Sequence, residues 1–146
     1  MRAVIQRVSS ASIDIEKVPT SKIEHGLVVL LGIEPNDTME KACWMVEKII
    51  KLRIFNDDEG KMNRSVQDVD GQILLVSQFT LYGDCRKGTR PSFINAAKPE
   101  IAIPLYEMFI ELLNTKFGKK IETGEFGAHM DIHLVNDGPV TLILDK

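Results

Sequence analysis

Polar side chains stand at the end of an apolar segment that spans residues 73–81. They are Ser77, Gln78 and Thr80, and a hydroxyl such as that of Thr80 is a candidate nucleophile. Burying such groups without partners costs about 1–3 kcal/mol each, so they either hydrogen-bond at a strand end or face a cleft. If the segment is a strand throughout, Gln78 and Thr80 share one face, and Ser77 and Phe79 share the other.

Two further segments combine small residues and turn residues. Residues 136–141 contain the dipeptide Gly138-Pro139, and between two strands this composition predicts a hairpin turn. Glycine nevertheless permits a close backbone approach, and an X-Pro peptide is cis in roughly 5–6% of cases. Residues 123–130 place small residues around Phe126, which by itself indicates only a loop that enters a strand.

Most familiar catalytic arrangements are missing from the sequence. It has no G-x-S-x-G nucleophile motif, no P-loop and no dinucleotide-binding glycine motif. His129 and His133 are four residues apart, which suits a metal on a helix, but the alternation around them predicts a strand. Cys43 and Cys85 form no C-x-x-C pair, and Cys85 is interpreted as an incidental loop thiol. We therefore expect neither a metal nor a cofactor.

Composition and charge describe an ordinary soluble protein. The chain has 146 residues, of which 44% are hydrophobic and 27% charged, and this fits a single domain over residues 1–146. The formal net charge of −3 argues against coating nucleic acid by charge, but recognition of one end or one nucleotide stays open. No signal peptide and no apolar run near the ~18 residues of a membrane span is visible, so we expect a cytoplasmic protein without membrane contact.

Hydrophobic periodicity places these segments in a mixed fold. Period-two alternation predicts strands, helical spacing predicts helices, and residues 18–21 and 56–60 are turn-like. The expected elements are strands over 3–16, 23–33 and 72–82, a helix over 38–52, a second helix that starts at Pro99, becomes regular only at Pro104 and stops at Gly118, and strands over 130–134 and 140–144. This order predicts an α+β protein with two main helices packed on a mixed, curved, barrel-like sheet.

Five segments together resemble the D-aminoacyl-tRNA deacylases, also called D-tyrosyl-tRNA deacylases. They are MRAVIQRV at 1–8, SQFTLYGD at 77–84, RKG with RPSF at 86–88 and 90–93, TGEFGAHM at 123–130 and NDGPVT at 136–141. The similarity spans essentially the whole chain, in order. It implies an enzyme that hydrolyses the ester bond of D-aminoacyl-tRNA, releasing free D-amino acid and tRNA. It also implies a homodimer with the active site at the subunit interface.

The resemblance further assigns residues to the site. They are the catalytic Ser77, Gln78, Phe79 and Thr80, the chirality-selecting Gly138 and Pro139, their supports Arg7, Asn136 and Thr141, and the substrate-pocket residues Phe126, Gly127, Ala128 and Met130. The Gly138-Pro139 peptide is cis in the family and would enter the pocket of the partner subunit.

The task of such an enzyme explains the use of main-chain atoms. It must accept many side chains and reject the L enantiomer, and handedness is set at Cα. Carbonyl oxygens of Gly138 and Pro139 would crowd the position into which an L side chain projects. Glycine has no side chain, so we also expect cleavage of glycyl-tRNA.

Two hypotheses describe the chemical step. In the first, Thr80 is a nucleophile that forms an acyl-enzyme, although the sequence places no histidine to activate it. In the second, which the resemblance favours, the 2′-hydroxyl of the terminal adenosine helps to activate water. Backbone N–H groups near Gln78 and Phe79 would then stabilise the oxyanion.

The partner is expected to be the acceptor end of tRNA, with its terminal adenosine, and not DNA. The basic loop with Arg86, Lys87 and Arg90 either contacts phosphates there or is a solvated charge cluster, and the two interpretations have equal weight. Two rival functions remain. One is a noncatalytic module that binds a nucleotide or a tRNA end, and the other is a metal-dependent hydrolase that uses His129 and His133.

Overall fold

Eight strands, two α-helices and a short 3-10 helix make up the computed structural model, which describes residues 1–146. In chain order they are β1 (Arg2–Ile15), β2 (Val18–Ile23), β3 (Gly26–Gly32), α1 (Met39–Lys51), β4 (Phe55–Asn56), β5 (Met62–Arg64), β6 (Gln72–Ser77), the 3-10 helix (Phe79–Tyr82), α2 (Pro99–Phe117), β7 (Glu122–Thr123) and β8 (Met130–Asp145). The predicted α+β class with two main helices is confirmed.

The sheet curves until its two ends meet. β1 pairs antiparallel with β2 and β3 along successive halves, β3 continues in parallel to β6, and β6 in parallel to β7. The Ser21 hydroxyl of β2 donates to the Thr123 carbonyl of β7 at 2.6 Å, which joins the ends of this path. The expected barrel-like sheet is therefore confirmed as a nearly closed one.

Apolar residues cover both faces of the sheet. Ile73 and Leu75 of β6 belong to the cluster that the helices cover, and Leu74 and Val76 belong to a second cluster on the opposite face. Burial of both faces is typical of parallel strands. It holds the end of β6 in a packed environment, and this is where the polar residues of the sequence begin.

The helices begin and end close to the predicted residues. Thr38 caps α1, because its hydroxyl accepts a hydrogen bond from the Lys41 N–H at 3.4 Å. α2 ends at Gly118, which adopts the left-handed conformation at φ 74°. The prediction that α2 becomes regular only at Pro104 is wrong. Pro104 lies on an exposed side inside a helix that starts at Pro99, where its missing N–H removes a single backbone bond.

The first turn was misplaced by the sequence pattern. Glu16 and Lys17 have φ of 50° and 66° and form a tight two-residue connection between β1 and β2. Residues 18–21 are therefore strand and not turn, and the predicted strand over 23–33 is divided between β2 and β3. Pro19 suggested a turn, but it stands beside an irregularity in the β1–β2 pairing at Asp14.

The predicted strand over 72–82 ends early. The Gln78 N–H donates to the Leu31 carbonyl at 2.7 Å and continues the ladder, whereas the Leu81 N–H turns back to the Gln78 carbonyl at 3.2 Å. Residues 79–82 therefore form the 3-10 helix. The expectation that Gln78 and Thr80 share one strand face, with Phe79 on the face of Ser77, is wrong.

The predicted hairpin at residues 136–139 is also wrong. β8 continues without reversal and pairs antiparallel with β1 from Met130 to Asp145. The register shifts where Gln6 opposes Thr141 and Val8 opposes Asn136. The four residues 137–140 therefore lie opposite a single residue of β1, Arg7, and form a large bulge, called here the 137–140 bulge.

Candidate functional site

A cavity of about 250 Å³ opens at the carboxyl ends of the parallel strands β3 and β6. Ten of its 14 lining residues are hydrophobic, and they come from distant parts of the chain. They are Leu31 and Ile33 at the end of β3, residues 76–79 at the end of β6 and directly after it, Ala97 and Ala102 near the start of α2, residues 126–130, and Ile132 of β8. Strand ends of this kind present backbone groups and loops to a ligand.

Most of the predicted catalytic and pocket residues lie together in this wall. Ser77, Gln78 and Phe79 line one side of the cavity, and the predicted pocket residues Phe126, Gly127, Ala128 and Met130 all line it as well. Thr80 does not line the cavity. It is exposed on the 3-10 helix, where its hydroxyl accepts a hydrogen bond from the Gln78 side-chain amide.

The 3-10 helix leaves backbone donors beside the cavity. Within this helix the N–H groups of Phe79 and Thr80 have no acceptor, because the first turn of any helix lacks partners for them. The Gln78 N–H is already used in the ladder to Leu31. Of the N–H groups that the sequence analysis proposed for an oxyanion, only that of Phe79 is free of a backbone partner.

Side chains from β1 and α2 support the two walls. Arg2 donates from Nη1 to the Leu81 carbonyl at 3.0 Å, which ties the 3-10 helix to β1. The Tyr106 hydroxyl donates to the Leu75 carbonyl at 3.2 Å, and its ring lies 5.8 Å from that of Phe126. Burial raises the pKa of Tyr106 well above its usual range, so this hydroxyl stays a donor.

The 137–140 bulge is held by a dense set of hydrogen bonds. The buried Arg7 guanidinium donates to the Asp137 carbonyl at 3.1 Å and to the Ile54 carbonyl at 2.6 Å, and it lies 3.0 Å from the Asp137 carboxylate. Across the bulge, the Asn136 side chain accepts from the Val140 N–H at 2.8 Å and donates to the Thr141 hydroxyl at 3.1 Å. Arg7 and Asn136 therefore bind the bulge directly, and Thr141 acts through its hydrogen bond with Asn136.

The dipeptide at the tip of the bulge points away from the core. Gly138 and Pro139 are exposed, their peptide bond is cis, and neither lines the cavity of its own chain. Gly138 has φ 132°, a conformation that favours glycine. A Cβ at this position would lie 2.8 Å from Val140 Cγ2 and 3.1 Å from Arg7 Nη2.

The basic loop projects beside the 3-10 helix. Two hydrogen bonds between Asp84 and Ser92, of 2.8 and 3.0 Å, close it. Arg86 donates to the Asp84 carboxylate at 2.6 Å and lowers the pKa of that carboxyl to about 2, so the two charges cancel. Lys87 and Arg90 are exposed and have no acidic partner. The three predicted phosphate contacts are therefore not equivalent.

Sequence reasoning missed several lining residues. Leu31 and Ile33 were assigned only to the core, although the carboxyl end of a strand parallel to β6 was the available signal. His129 was interpreted as a strand histidine or a metal ligand and was not assigned to the pocket, yet it lines the cavity with a side chain that is 90% exposed. Nowhere in residues 1–146 do three His, Cys, Asp or Glu side chains converge in a way that could hold a metal.

A model of the family described as D-Tyr-tRNA(Tyr) deacylase matches residues 4–145. The chain belongs to this family. Relatives named D-aminoacyl-tRNA deacylase include those of Flavobacterium johnsoniae, 57% identical, and Thermotoga petrophila, 56% identical, each over 100% of this chain and 97% of the relative. The resemblance seen in the sequence is thereby confirmed, and the chain is an enzyme of this hydrolase family.

Solved structures agree with the fold. One described as c-Myc DNA Unwinding Element Binding Protein superposes with a TM-score of 0.95 at 43% identity, covering 100% of this chain and 99% of that chain. Another, described as a probable eukaryotic D-amino acid tRNA deacylase, has a TM-score of 0.84 at 18% identity and covers 99% and 98%. The second supports the fold alone. Neither α-helix of the deacylase chain is long and apolar enough to cross a membrane.

Proposed function

We propose that this chain hydrolyses the ester bond of D-aminoacyl-tRNA and releases free D-amino acid and tRNA in the cytoplasm. The observation that carries the proposal is the cavity, whose wall combines Ser77, Gln78 and Phe79 with residues 126–130. Both segments belong to the resemblance, and they are 47 or more residues apart along the chain, with α2 between them. The family match over residues 4–145 supports the same activity.

In the chemical step, the main role of the enzyme is to position the ester and the attacking water. A water adds to the ester carbonyl, the terminal ribose oxygen leaves, and the proton of the water passes to that oxygen. The Phe79 N–H stands at the cavity wall as a donor for the oxyanion, and the 2′-hydroxyl of the terminal adenosine assists the water. An aminoacyl ester is already an activated bond, so these contributions suffice.

The structure weakens the hypothesis that Thr80 is the nucleophile. Thr80 lies outside the cavity wall, and its hydroxyl accepts from the Gln78 amide, which cannot remove its proton. His129 is the one histidine in the wall, and its imidazole lies near Asp131, at 3.7 Å, and is almost fully exposed. An activated hydroxyl needs a base within hydrogen-bond reach.

Chiral selection is assigned to the tip of the 137–140 bulge of a second copy. Gly138 and Pro139 are exposed and absent from their own cavity, so they are free to enter another one. Steric exclusion of the L side chain by their carbonyl oxygens requires a rigid tip, and the bonds from Arg7 and Asn136 supply the rigidity. The homodimer is part of this proposal.

The edge of β8 supports assembly with a second copy. β8 has 16 residues and pairs only with β1, so its other backbone edge is unpaired. Val135 and Ile143 on this strand are 57% and 65% exposed. A long edge strand with exposed apolar residues is a usual site of strand pairing between chains.

The nucleic-acid partner is proposed to be the acceptor end of tRNA, with the terminal adenosine at the cavity. A net charge of −3 does not favour wrapping of a long duplex, and Lys87 and Arg90 of the basic loop are exposed cations without an acidic partner. The DNA element in the name of the relative at 43% identity belongs to that protein. It is not carried over here.

A deacylation assay with matched enantiomers tests the proposal. We expect release of amino acid from D-tyrosyl-tRNA at least 100-fold faster than from L-tyrosyl-tRNA, because every 1.4 kcal/mol of steric penalty is tenfold. EDTA is expected to leave the rate unchanged, since no acidic or histidine cluster is available to a metal. Retardation of D-tyrosyl-tRNA without release would indicate a binding module, and loss of release with EDTA would indicate a metal-dependent hydrolase.

Glycyl-tRNA provides a second test of the same selection. We expect it to be cleaved, at a rate between those of D-tyrosyl- and L-tyrosyl-tRNA, because glycine has no side chain for the carbonyl oxygens to exclude. The three substrates are compared at equal concentration with free amino acid as the readout. Complete resistance of glycyl-tRNA would show that the pocket recognises a side chain.

A further inference from the structure

An exposed aromatic surface lies at the mouth of the cavity. Phe79 belongs to the cavity wall and is nevertheless 56% exposed, so its ring stands at the mouth. The ring of Phe93 packs against it edge to face, with 5.2 Å between centroids and an interplanar angle of 71°. Phe93 is 39% exposed and the adjacent Ile94 is 83% exposed. Phe79, Phe93 and Ile94 are called here the rim platform.

The position of Phe93 is set by its neighbours. A Cβ on residue 83 would lie 2.9 Å from Phe93 Cε1, so the ring occupies space that only glycine leaves open. The Asp84–Ser92 bonds hold the chain immediately before Phe93. The ring is therefore fixed in an exposed position, although burial would have been the usual outcome for phenylalanine.

Unpaired cations stand on the loop that ends in this platform. Lys87 and Arg90 lie between Asp84 and Ser92, are exposed and have no acidic partner, whereas Arg86 is neutralised by Asp84. Aromatic faces beside free cations match single-stranded nucleic acid, because bases stack on the rings and phosphates face the cations. A partner protein has no equal need for both features.

We infer that the rim platform stacks the base of the nucleotide that precedes the terminal adenosine, with Lys87 and Arg90 facing its phosphates. The inference rests on the proposed function, which places the terminal adenosine at the cavity. A cavity of about 250 Å³ is below the roughly 300–1,000 Å³ of sites that enclose a whole ligand. The rest of the strand therefore leaves across the mouth, where Phe79 stands. Stacking tolerates any base, so it gives affinity and position without reading sequence.

Two substrates separate this role from a structural one. D-Tyrosyl-tRNA carries the preceding nucleotide, and D-tyrosyl-adenosine lacks it. For Phe93→Leu we expect KM for D-tyrosyl-tRNA to rise about tenfold with kcat little changed, and KM for D-tyrosyl-adenosine to rise less than twofold. Phe93→Tyr keeps the ring and is expected to restore KM. Trp44→Leu removes a comparably exposed aromatic, 36% exposed on α1, and should leave the ratio of the two KM values unchanged.

Other outcomes would overturn the inference. If Phe93→Leu changed KM equally for both substrates, Phe93 would act only through Phe79. If it changed KM for neither substrate, the rim platform would not bind this nucleotide. The double variant Lys87→Gln with Arg90→Gln should reduce the slope of log KM against log salt for D-tyrosyl-tRNA by about 1 or more, and an unchanged slope would remove the phosphate contacts.

A binding measurement keeps the inference separate from the proposed function. If the unmodified protein released no amino acid from either substrate, the proposed function would fail. The dinucleotide CpA and adenosine 5′-monophosphate can then be compared by calorimetry. Tighter binding of CpA that Phe93→Leu abolishes would support the platform, and equal binding of both would overturn it even where hydrolysis is intact.

Discussion

Replacing Gly138 by alanine is expected to lower the ratio of D-tyrosyl- to L-tyrosyl-tRNA cleavage by about 100-fold or more. The residue has φ 132°, and the new Cβ would lie 2.8 Å from Val140 Cγ2 and 3.0 Å from the Val140 nitrogen, so the backbone must move. The steric penalty on the L side chain falls steeply with distance. A decrease of about 3 kcal/mol in this penalty corresponds to a change of about 100-fold in the ratio of the two rates. Both rates are measured with free amino acid as the readout.

A matched glycine elsewhere in the chain provides the control. Gly60 has φ 79°, and a Cβ there would meet nothing within 4 Å. Gly60→Ala should therefore carry the backbone strain, about 1–3 kcal/mol of stability, without any change in the D-to-L ratio. Thermal denaturation checks that the Gly138→Ala variant is folded. If the folded variant has an unaltered D-to-L ratio, the dipeptide has no role in chiral selection.

Removing the 2′-hydroxyl from the terminal adenosine should slow release of D-tyrosine by about 100-fold or more, whereas Thr80→Ala should slow it only a few-fold. General acid–base assistance is worth roughly 10²–10⁴-fold, and in the proposed mechanism the substrate supplies it. Thr80 lies outside the cavity wall and only accepts from the Gln78 amide. Single-turnover rates on 3′-aminoacylated substrates, with and without the 2′-hydroxyl, measure both effects.

The opposite pattern would restore Thr80 as nucleophile. In that case Thr80→Ala abolishes turnover, and the substrate without the 2′-hydroxyl reacts normally. A burst of deacylated tRNA then precedes the steady state. Thr80→Ser, which keeps a hydroxyl at the same position, controls for loss of the hydrogen bond from Gln78.

Local patterns in the sequence predicted the elements well where short-range chemistry decides them. The predicted helix over 38–52 agrees with α1 to within a residue at each end, because a capping oxygen and apolar spacing act within a few residues. The capping oxygen is that of Thr38, and the neighbouring Asp37 carboxylate accepts a hydrogen bond from the Glu34 N–H at 2.9 Å. Gly118 ended α2 as expected for the same local reason.

Long-range contacts decided what the sequence pattern missed. Residues 136–139 have the composition of a hairpin, but Arg7, 130 positions earlier, donates to Asp137 and stabilises a bulge in a continuous strand. Likewise, the apolar pattern predicts that Leu81 continues a strand, but its N–H donates to the Gln78 carbonyl and the chain turns into the 3-10 helix. The resemblance identified residues of the cavity wall, yet it could not reveal that Thr80 lies outside that wall.

The pairing of β1 with β8 has a consequence for how the protein is made. Arg2 pairs with Asp145, and Arg7 binds Asp137. During synthesis Arg7 leaves the ribosome first, so this contact cannot form until Asp137 has also been made. Such contacts between the two ends of a chain form late, because loop closure over this separation is slow. The bulge therefore forms only after nearly the whole polypeptide has been synthesised, and a truncated product lacking β8 would lose both the Gly138-Pro139 tip and the cavity-wall residues Met130 and Ile132.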